Sequence, residues 1–426
     1  MFLLYRLITF LMYPFLVILI FIRKVIKKED PLRYKEKIFS SNFNVNKKKD
    51  NLIWFHAASI GELKSILPII RELNKKYKTL EFLITTITLS SGKLAKEEIK
   101  KIKNVSHRYL PIDVEFLINK FINLWEPKAI ILVDSEIWPN LIFSAKKNNI
   151  TLGLLNARIT YKTYKRWMIF PRTAKKIFGS FDFCLTSNIQ TKKYLLKFNV
   201  KNAFFKGNIK FINTFKKNDH YNFNKKRLLN KRFWVAASTH YGEETFCLEA
   251  HKKLKDEFPD IVTIIAPRHI DRVKDVKKLC QKLKLSAQIL KKNEIILNKR
   301  EIIIINSFGI LHNFFRYAKS VFVGKSTILK LKDDSGQNPI DAAKLGCKIY
   351  HGPYVYNFHD IYKLLQKKNV AKMIKNPLEL SKYLIIDFRE QRNKKNKYKP
   401  SLENLEKKIF KDTMKSLDNY LFNEIL

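Results

Sequence analysis

Continuous apolar runs of strand length, separated by stretches long enough for a helix, constrain the fold of this chain more than any other feature. The first series of runs is Leu52–Phe55, Phe82–Thr85, Ala129–Val133, Leu152–Leu155 and Phe183–Leu185. The second series is Phe233–Ala236, Ile261–Ile265, Ile302–Ile305, Val321–Val323 and Lys348–Tyr350. Runs that are continuous rather than alternating favour parallel strands covered by helices on both faces. The sequence therefore predicts an α/β protein with two doubly wound, Rossmann-like domains.

The length of 426 residues also favours two domains, because it exceeds what one hydrophobic core usually holds. The polar stretch "KKNDHYNFNKKRLLNK" predicts an interdomain linker at 216–232, between an N-terminal domain (51–215) and a C-terminal domain (233–400). Residues 27–50 are interpreted as a linker. Leucine and isoleucine recur near helical spacing after residue 401, which predicts a final amphipathic helix over 401–426. Two such domains place ligands at the carboxyl ends of their strands and in the cleft between them.

Residues 1–26 are interpreted as a membrane anchor. No charged side chain interrupts the segment from Leu7 to Ile22, and a helix counted from Phe2 to Ile22 spans roughly 30 Å, close to the hydrocarbon thickness of a bilayer. Arg23-Lys24 follow at once, without the small residues of a signal-peptide cleavage site. The basic flank after the segment predicts that the remainder is cytoplasmic. Tyr13-Pro14 in mid-segment leaves a second arrangement open, in which a kinked helix lies in the membrane interface.

Charge and cysteine content narrow the choice of partner. The 83 Lys and Arg against 38 Asp and Glu give a formal charge of +45, which favours nucleic acid, anionic lipid or phosphorylated small molecules. A generally lysine-rich surface explains the same excess without any ligand. The four cysteines have no C-x-x-C pair and no histidine at zinc spacing, so we predict buried, reduced thiols and no metal site.

The stretch "WFHAASIGE" (54–62) places Glu62 in the first turn of a helix that follows the first predicted strand. A carboxylate at that position complements the helix dipole by a few tenths to about one kcal/mol, which explains the residue without a catalytic role. Further polar groups at strand ends favour a functional edge. In the first domain they are Asp134 and Glu136 in "ILVDSEIWPN" and Arg158 in "LLNARIT", and Lys210 in "GNIKF" lies just before the predicted linker.

The second domain carries hydroxyl and cationic groups at its strand ends. "VAASTHYGEE" supplies Ser238 and Thr239, as hydroxyl donors or as helix N-caps, and "IIAPRH" supplies Arg268, which suits a bidentate phosphate contact. The loop 324–346, "GKSTILKLKDDSGQNPIDAAKLG", runs into an alanine-rich helix whose N-terminal amides are candidates for phosphate binding. It is not a P-loop, because the G-x-x-x-x-G-K-[ST] spacing is absent.

Taken in order, these motifs resemble the 3-deoxy-D-manno-octulosonic acid (Kdo) transferase family, inner-core glycosyltransferases of lipopolysaccharide synthesis with a GT-B fold. The resemblance covers nearly the whole chain. It rests on the N-terminal anchor and on "WFHAASIGE", "SEIWPNL", "LNARIT", "GNIKF", "AASTHYGEE", "APRH", "VFVGKS", "GQNPIDAAKLG" and "HGPYVYNF". The resemblance implies CMP-Kdo as donor, the phosphorylated and acylated glucosamine disaccharide precursor of lipid A (lipid IVA) as acceptor, and two domains facing across a cleft.

The resemblance also implies roles for individual residues. Glu62 matches the family's general base, and Glu136 and Lys210 match positions that stabilise the transition state. The implied CMP and donor contacts are Ser238, Thr239, Pro267, Arg268, Gly309, Ile310, Leu311, Asn338, Pro339, Ile340 and Asp341. The chain departs from the family pattern at Ile310, where glutamate is common, at Lys325, where a glycine is usual, and at Asp341, where glutamate is usual.

The expected reaction is metal-independent and uses no cofactor. Breaking the sugar–phosphate bond develops negative charge on the departing CMP, which cationic side chains and amides can stabilise, while a carboxylate activates the acceptor hydroxyl. A single displacement inverts the anomeric centre. Arg158 and Arg166 are candidates for acceptor phosphates, the latter in "YKTYKRWMIFPRTAKK" (161–176), which is either a headgroup contact or an ordinary half-buried helix.

Two alternatives remain at this point, and the sequence does not fix the oligomeric state. Another GT-B enzyme could use a nucleoside-diphosphate sugar on a different lipid, because a fold does not determine the donor. A membrane-tethered nucleic-acid-binding protein would explain the charge, but the chain carries no RNP, zinc-finger or other nucleic-acid motif. The favoured hypothesis places the enzyme on the cytoplasmic leaflet of a bacterial inner membrane, with no nucleic-acid partner.

Overall fold

The structure is a computed structural model that describes residues 2–43, 51–212, 228, 231–291, 293–307, 309–390 and 399–421. The chain forms two compact units, Met1–Thr214 with Leu405–Leu426, and Phe215–Asn404. We refer to them as the first and second domains. Of the predicted interdomain linker at 216–232, only residues 228, 231 and 232 lie within the described part of the chain.

The first domain has a seven-stranded parallel sheet with the strand order β3-β2-β1-β4-β5-β6-β7. Its strands are β1 Leu52–His56, β2 Glu81–Thr86, β3 Val105–Tyr109, β4 Ala129–Val133, β5 Thr151–Ala157, β6 Phe183–Thr186 and β7 Ala203–Phe205. Its helices are α1 Phe2–Val25, α2 Ile60–Lys76, α3 Leu89–Ile99, α4 Glu115–Trp125, α5 Pro139–Lys147, α6 Tyr161–Trp167, α7 Pro171–Phe178 and α8 Ile189–Lys197. The order reverses between β1 and β4, which is where doubly wound sheets bind ligands.

The second domain repeats this plan with a second seven-stranded parallel sheet, ordered β10-β11-β9-β8-β12-β13-β14. Its strands are β8 Phe233–Thr239, β9 Val262–Pro267, β10 Ala287–Leu290, β11 Ile302–Ile305, β12 Ser320–Val323, β13 Lys348–His351 and β14 Ala371–Met373. Its helices are α9 Glu243–Glu257, α10 Val273–Lys282, α11 Leu311–Phe315, α12 Ile340–Lys344, α13 His359–Lys367 and α14 Pro377–Arg389. The predicted fold class, two doubly wound α/β domains, is confirmed.

The ten predicted strands are all present, with bounds that differ by up to three residues. The four strands that the sequence did not predict, β3, β7, β10 and β14, are the edge strands of the two sheets. Central strands such as β1 and β4 are buried at every position, whereas β7 and β14 are buried at one position of three. An edge strand has a neighbouring strand on one side only and tolerates polar residues. Its sequence therefore shows no continuous apolar run.

The segment interpreted as a linker at 27–50 is partly folded. Residues 33–37 and 40–42 form short 3₁₀ helices, and Tyr34, Ile38 and Phe43 are buried. Phe43 belongs to the core of the first domain, where its ring packs edge-on against Phe121 at a centroid distance of 5.2 Å. The linker interpretation is therefore wrong for residues 33–43, because three apolar side chains fix this segment on the domain.

The C-terminal amphipathic helix is present as α15, Lys399–Leu421, and it packs on the first domain. Its buried face includes Leu417 and Leu421, and the ring of Tyr420 stacks on Phe183 at 4.7 Å. Asp418 accepts hydrogen bonds from Lys76 Nζ at 2.7 Å and from Tyr77 Oη at 3.0 Å. The chain thus returns to the domain with which it began.

Candidate active site

Reciprocal hydrogen bonds hold Glu62 in the turn between β1 and α2. Ser59 is the N-cap residue of α2, and its Oγ accepts from the Glu62 backbone N–H at 3.3 Å. In return, Glu62 Oε1 accepts from the Ser59 hydroxyl and Oε2 accepts from the Ala58 N–H, both at 2.8 Å. Glu62 therefore stabilises the start of α2, as its position in the sequence suggested. Each carboxylate oxygen still has a second lone pair with which to accept a substrate proton.

Three further charged side chains surround Glu62. Burial raises the pKa of Glu62, the negative charges of Asp134 and Glu136 raise it further, and the Ser59 hydrogen bond and the Lys210 cation lower it. A carboxylate with a raised pKa is a better proton acceptor near neutral pH than an exposed glutamate. The structure therefore brings together Glu62, Glu136 and Lys210, the three residues that the sequence proposed as catalytic.

Asp134 connects Lys210 to this group. Lys210 Nζ donates to Asp134 Oδ2 at 2.5 Å, and the Asp134 side chain is almost fully buried. Asp134 follows the last residue of β4 with a φ of +65°, a conformation that costs free energy for a residue other than glycine and that concentrates at functional sites. Its Oδ1 atom is buried without a hydrogen-bond partner within the described residues. The sequence pointed to Asp134 as acidic but gave it no role.

Glu136 is held by two side chains that the sequence did not propose. Trp138 Nε1 donates to Glu136 Oε2 at 2.9 Å, and His56 Nε2 lies 3.3 Å from the same oxygen. His56 is fully buried, and its Nδ1 lies 2.9 Å from Thr85 Oγ1. Because a carboxylate only accepts, Nε2 carries the ring proton and donates it to Glu136. This leaves the second oxygen of Glu136 for other contacts.

The two candidate acceptor-phosphate residues lie in different places. Arg158 follows β5, next to β4 in the sheet, and its backbone N–H donates to the Asp134 carbonyl at 3.1 Å. Arg166 lies exposed on α6, eight residues further along the chain. Arg158 therefore lies at the same sheet edge as Asp134, whereas no contact connects Arg166 with that edge among the described residues.

The predicted donor residues all follow four adjacent strands of the second domain. In the order β11-β9-β8-β12, Gly309 to Leu311 follow β11, Arg268 follows β9, and the loop that begins at Gly324 follows β12. Ser238, Thr239 and Pro267 are the final residues of β8 and β9. Parallel strands end at one edge of the sheet, so these residues share the edge where the strand order reverses.

The hydroxyl groups at the end of β8 do not cap α9, whose N-cap is Gly242. The N-cap interpretation of Ser238 and Thr239 is therefore wrong. Thr239 Oγ1 donates to Glu244 Oε1 at 2.9 Å, and Arg272 forms a two-pronged contact with the same carboxylate at 2.8 and 3.2 Å. Ser238 has a φ of +56°, and its carbonyl oxygen lies 3.2 Å from His240 Nδ1.

Glu243, fully buried, organises the loop after β12. Its Oε1 accepts from the backbone N–H groups of Ser326 and Thr327 at 2.8 and 3.1 Å and from the Thr327 hydroxyl at 3.0 Å. Its Oε2 accepts from the N–H groups of Lys325 and His240 at 2.6 and 3.0 Å. Five donors therefore satisfy one carboxylate, and the amides of residues 325–327 are directed at Glu243.

Gly324 shows why this loop contains glycine at that position. A Cβ at Gly324 would lie 2.6 Å from the Ser238 carbonyl oxygen and 2.7 Å from Glu243 Oε2. Lys325, which replaces the glycine usual in the family pattern, has a φ of +57°. Burial lowers the pKa of His240, and the cation of Lys325 contributes in the same direction. Cationic and imidazole groups are therefore close together at this edge.

Arg268 is exposed at the end of β9, and its backbone N–H donates to the Thr239 carbonyl at 2.9 Å. Its guanidinium is in no ion pair with any residue that the structure describes. The His269 ring, next in the chain, meets the His240 ring edge-on at a centroid distance of 5.8 Å. A guanidinium exposed at a ligand-binding edge fits the phosphate contact that the sequence suggested.

The loop around Asn338 differs in one respect from the prediction. The helix after it, α12, has only five residues, and its first N–H, that of Ile340, donates to Asn338 Oδ1 at 3.0 Å. One of the amides proposed for phosphate binding is therefore already engaged. Gly336 has a φ of +87° and donates its N–H to the Lys325 carbonyl at 2.6 Å, which joins both halves of the loop.

Neither the cysteines nor the acidic residues form a metal site in the part of the chain that is described. All four cysteines are buried and none forms a disulfide. No group of three or more His, Cys, Asp or Glu side chains is arranged to hold a metal ion among those residues. Metal independence of the reaction stays a prediction.

Solved structures similar to this chain share its two-domain architecture. A glycosyltransferase from Rickettsia africae matches with a TM-score of 0.58 over 89% of this chain and 100% of its own, at 12% identity. A UDP-GlcNAc 2-epimerase from Neisseria meningitidis matches with a TM-score of 0.57 over 88% of this chain and 100% of its own, at 13% identity. At these identities the likeness shows the fold alone.

Sequence relatives identify the family. The family model for 3-deoxy-D-manno-octulosonic-acid transferase (kdotransferase) matches residues 33–213. A 3-deoxy-D-manno-octulosonic acid transferase from Rickettsia bellii is 33% identical and covers 98% of this chain and 97% of its own. One from Haemophilus influenzae is 29% identical over 74% of this chain and 73% of its own. The chain therefore belongs to the Kdo transferase family and is a glycosyltransferase of lipopolysaccharide biosynthesis.

Proposed function

We propose that this enzyme transfers Kdo from CMP-Kdo to the lipid A precursor lipid IVA, with Glu62 as the general base. One observation carries the role of Glu62: a mostly buried carboxylate with a raised pKa lies among Asp134, Glu136 and Lys210 at the strand-order reversal of the first domain. The names of the relatives supply the transferred sugar. The charged groups at the two sheet edges support the proposal that the first domain binds the acceptor and the second domain binds the donor.

In the proposed reaction Glu62 takes the proton from an acceptor hydroxyl. The hydroxyl oxygen forms a bond to the anomeric carbon of Kdo, and the bond from that carbon to the phosphate oxygen of CMP breaks. The electron pair of this bond leaves with CMP, and the proton ends on Glu62. Attack from the face opposite the leaving group inverts the anomeric centre, so a second nucleophile is unnecessary.

Lys210 and Glu136 stabilise the charges that develop during this step. The Lys210 ammonium, in its contact with Asp134, offers positive charge to the deprotonating acceptor oxygen. Glu136 offers negative charge to the positive character of the sugar ring, and His56 and Trp138 hold its carboxylate in place. Fixed charges of this kind need no reorganisation at the moment of reaction.

The second domain is proposed to bind CMP. Arg268 is the main candidate for the phosphate, because its guanidinium is exposed at the strand-order reversal and matches phosphate geometry. Ser238, Pro267, the segment Gly309 to Leu311 and the loop Asn338 to Asp341 complete the proposed site. For Thr239, whose hydroxyl is engaged by Glu244, the proposed contact is through its backbone.

The proposed location is the cytoplasmic leaflet of the bacterial inner membrane. Helix α1 has the length and composition needed to cross a membrane, and only 6% of its most apolar window is buried. An acyl-chain-bearing acceptor gives such a helix a function, since it keeps the enzyme at the surface where its substrate resides. Basic residues near the acceptor edge, among them Arg158, suit the acceptor phosphates.

The test is a transfer assay with purified protein. CMP-Kdo and lipid IVA are incubated with the enzyme, with and without EDTA, and the acceptor mass is followed. We expect the mass gain of one or more Kdo residues in both conditions, and inhibition by CMP but not by UDP. No gain, or inhibition by UDP alone, would contradict the proposed donor and acceptor. Loss of activity with EDTA would contradict only the metal independence.

A further inference from the structure

The N-terminal helix α1 is docked lengthwise on the first domain by one stripe of side chains. The positions of α1 that the rest of the first domain covers or partly covers recur every three or four residues over most of the helix. They are Phe2, Tyr5, Arg6, Thr9, Tyr13, Leu16, Val17, Ile20, Arg23 and Lys24. This spacing is that of one helical face. A helix of 24 residues is about 36 Å long, so the contact follows it for most of that length.

Specific polar contacts fix the first half of the helix. Tyr5 Oη donates to Asp113 Oδ2 at 2.9 Å, and Arg6 forms an ion pair with Glu115 at 2.8 Å. Asp113 also accepts from the backbone N–H groups of Asn140 and Leu141 at 3.0 and 2.9 Å. Asp113 therefore belongs to the fold of the domain, where it caps the start of α5, and Tyr5 binds to a group already held in place.

Contacts of the same kind continue along the second half. Tyr13 Oη donates to the Ile38 carbonyl at 2.6 Å, and Ile20 packs in a small core with Tyr34 and Ile38. Beyond this core, Arg23 Nε donates to Glu29 Oε1 at 2.7 Å. The polar side chains of α1 thus point to the domain, including both tyrosines.

The opposite face of α1 is apolar without interruption. It consists of Leu3, Leu4, Leu7, Ile8, Phe10, Leu11, Met12, Pro14, Phe15, Ile18, Leu19, Phe21 and Ile22. No polar or charged side chain lies among these exposed positions. A continuous apolar surface of this size marks a contact with a membrane or another protein.

This arrangement cannot cross a bilayer while the helix stays docked. Crossing would place the whole length of α1 in the hydrocarbon core and would take the contacted groups with it. Those groups include the ionised pair Arg6–Glu115 and the charged segment at Glu29, and charged side chains within the hydrocarbon are costly. An apolar face exposed beside a polar body suits a helix that lies in the interface instead.

Basic residues at both ends of α1 indicate that its apolar face binds an anionic lipid leaflet. Arg23, Lys24, Lys27 and Lys28 follow the apolar positions directly. At the other end, Phe2 packs on Phe143 with ring centroids 3.9 Å apart, and the Lys176 ammonium lies over the same Phe143 ring. This second region is basic, because residues 137–181 contain nine Lys and Arg and no Asp or Glu.

The same basic region offers a second apolar contact. The turn between α6 and α7 exposes Met168, Ile169 and Phe170 at 43%, 66% and 51% of their surface. Cations around apolar side chains are the composition of a surface that inserts its apolar groups below anionic headgroups. Such a surface favours a lipid leaflet over a second copy of this chain, whose charge of the same sign would repel it.

We propose that α1 lies in the plane of the cytoplasmic leaflet, docked on the first domain, and does not span the bilayer. Its apolar face enters the acyl-chain region, and the Met168 to Phe170 turn provides a second contact. This inference rests on the proposed membrane association and adds its geometry. Both contacts belong to the first domain, to which we assign the lipid acceptor.

The first experiment measures on which side of the membrane the N-terminus lies. A short epitope tag is placed before Met1, and a membrane-impermeant protease is added to sealed inverted inner-membrane vesicles and to intact spheroplasts. We expect removal of the tag in inverted vesicles and protection in spheroplasts. The reverse pattern would show that α1 spans the bilayer and would overturn the proposal, although membrane association itself would stand.

The second experiment tests whether α1 stays docked in the membrane-bound protein. Arg6→Cys with Glu115→Cys is treated with a short bismaleimide, and the matched control pairs Ile8→Cys, on the opposite face, with the same partner. The native cysteines are buried, so the new pair is the preferred target. We expect an intramolecular cross-link for the first pair only. No cross-link, or equal yields from both pairs, would contradict docking.

A vesicle-binding assay separates the remaining outcomes. Wild type and Phe15→Glu, which changes only the exposed face, are mixed with vesicles containing anionic or only zwitterionic lipid. We expect binding to anionic vesicles that weakens at least tenfold in the variant. Absence of binding by wild type would sink the membrane association as well as the geometry. A salt-resistant dimer of wild type, lost in Phe15→Glu, would show that a second copy covers this face instead.

Discussion

The turns that follow the first strand of each domain begin with similar sequences and use their glutamates in opposite ways. Both read Ala-Ala-Ser and then Gly-Glu, as "AASIGE" at 57–62 and "AASTHYGEE" at 236–244. Among the described residues, the Glu62 carboxylate forms hydrogen bonds only within its own turn, and it keeps part of its surface in solvent near three other charged groups. Glu243 and Glu244 are fully buried and bind elements distant in the chain.

The difference shows that one motif can leave a carboxylate partly exposed or bury it as part of the fold. In the first domain the carboxylate of Glu62 stays partly exposed at the sheet edge, where we propose that it meets the acceptor hydroxyl. In the second domain the carboxylates of Glu243 and Glu244 are bound by backbone amides and by Arg272. Cations such as Arg268 are exposed to solvent there. The same fold thus produces one edge with a partly exposed carboxylate and one edge with an exposed cation.

Replacement of Glu62 by glutamine should have the largest effect on activity. Glutamine can still accept from the Ala58 N–H and contact the Ser59 hydroxyl but cannot take up a proton, so we expect kcat to fall on the order of 10²- to 10⁴-fold. Thermal unfolding should change little. Transfer to lipid IVA, followed by mass, measures the rate. Activity within threefold of wild type would sink the role of Glu62 as base.

The same substitution at Glu243, in the second domain, should lower the free energy of unfolding rather than act directly on the transfer step. Glu243→Gln replaces one carboxylate oxygen with an amide nitrogen, which cannot accept from the two backbone N–H groups that either oxygen binds, and this should cost roughly 3–5 kcal/mol. Denaturant unfolding measures this cost. Loss of transfer without any change in unfolding would show that Glu243 acts directly on substrate, and the contrast between the turns would fail.

Acidification should weaken the second domain more than the first. Burial lowers the pKa of His251 and of His351 to about 4, so both are neutral in the fold. Their contribution is present above the unfolded pKa near 6.5 and is lost as pH falls toward 4, at about 3 kcal/mol each. In the first domain His107, with a pKa lowered to about 3, is opposed by Asp113, whose pKa burial raises to about 6.

The asparagine variant of His251 tests this difference. Asparagine keeps a polar group near the Thr263 hydroxyl, 2.8 Å from His251 Nδ1, but does not titrate in this range. Between pH 6.5 and 4 we expect a smaller loss of unfolding free energy than in wild type, with the change located in second-domain peptides by hydrogen exchange. Equal pH slopes in the two proteins would contradict the burial argument.

The pH dependence of transfer should respond in opposite directions to two changes around Glu62. Asp134→Asn removes a negative charge that raises the pKa of Glu62, so the acidic limb of the rate profile should move to lower pH. Lys210→Met removes a cation that lowers it, and the limb should move to higher pH. Shifts of about one pH unit are expected. Shifts in the same direction would show that another group controls this limb.

The smallest effect concerns the two glycines that precede the glutamates. Gly242 has a φ of +93°, so Gly242→Ala should destabilise the protein by about 1 kcal/mol. Gly61 lies inside α2, where an added Cβ would meet only Ser59 Oγ, at 3.9 Å. Gly61→Ala should therefore be neutral or stabilise the protein by about 0.5–1 kcal/mol. Denaturant midpoints compare the two, and equal losses would remove this part of the contrast.

The sequence by itself determined the architecture and the strand ends at which the candidate site residues lie. Continuous apolar runs predicted the ten inner strands, because buried parallel strands must be apolar on both faces. The ends of those runs directed attention to Glu62, Glu136 and Arg268, since parallel strands end at one edge. The edge strands escaped detection because they need no continuous apolar face.

Only the tertiary structure decided how each polar group is used. It brought Lys210 to Asp134 across 76 positions of sequence and His56 to Glu136 across 80, and it gave Glu243 its donors from a loop more than 80 residues away. It also placed the polar side chains of α1 against the rest of the first domain. The physical reason is that a side chain's protonation and availability depend on burial and on neighbouring charges, and distant segments supply both.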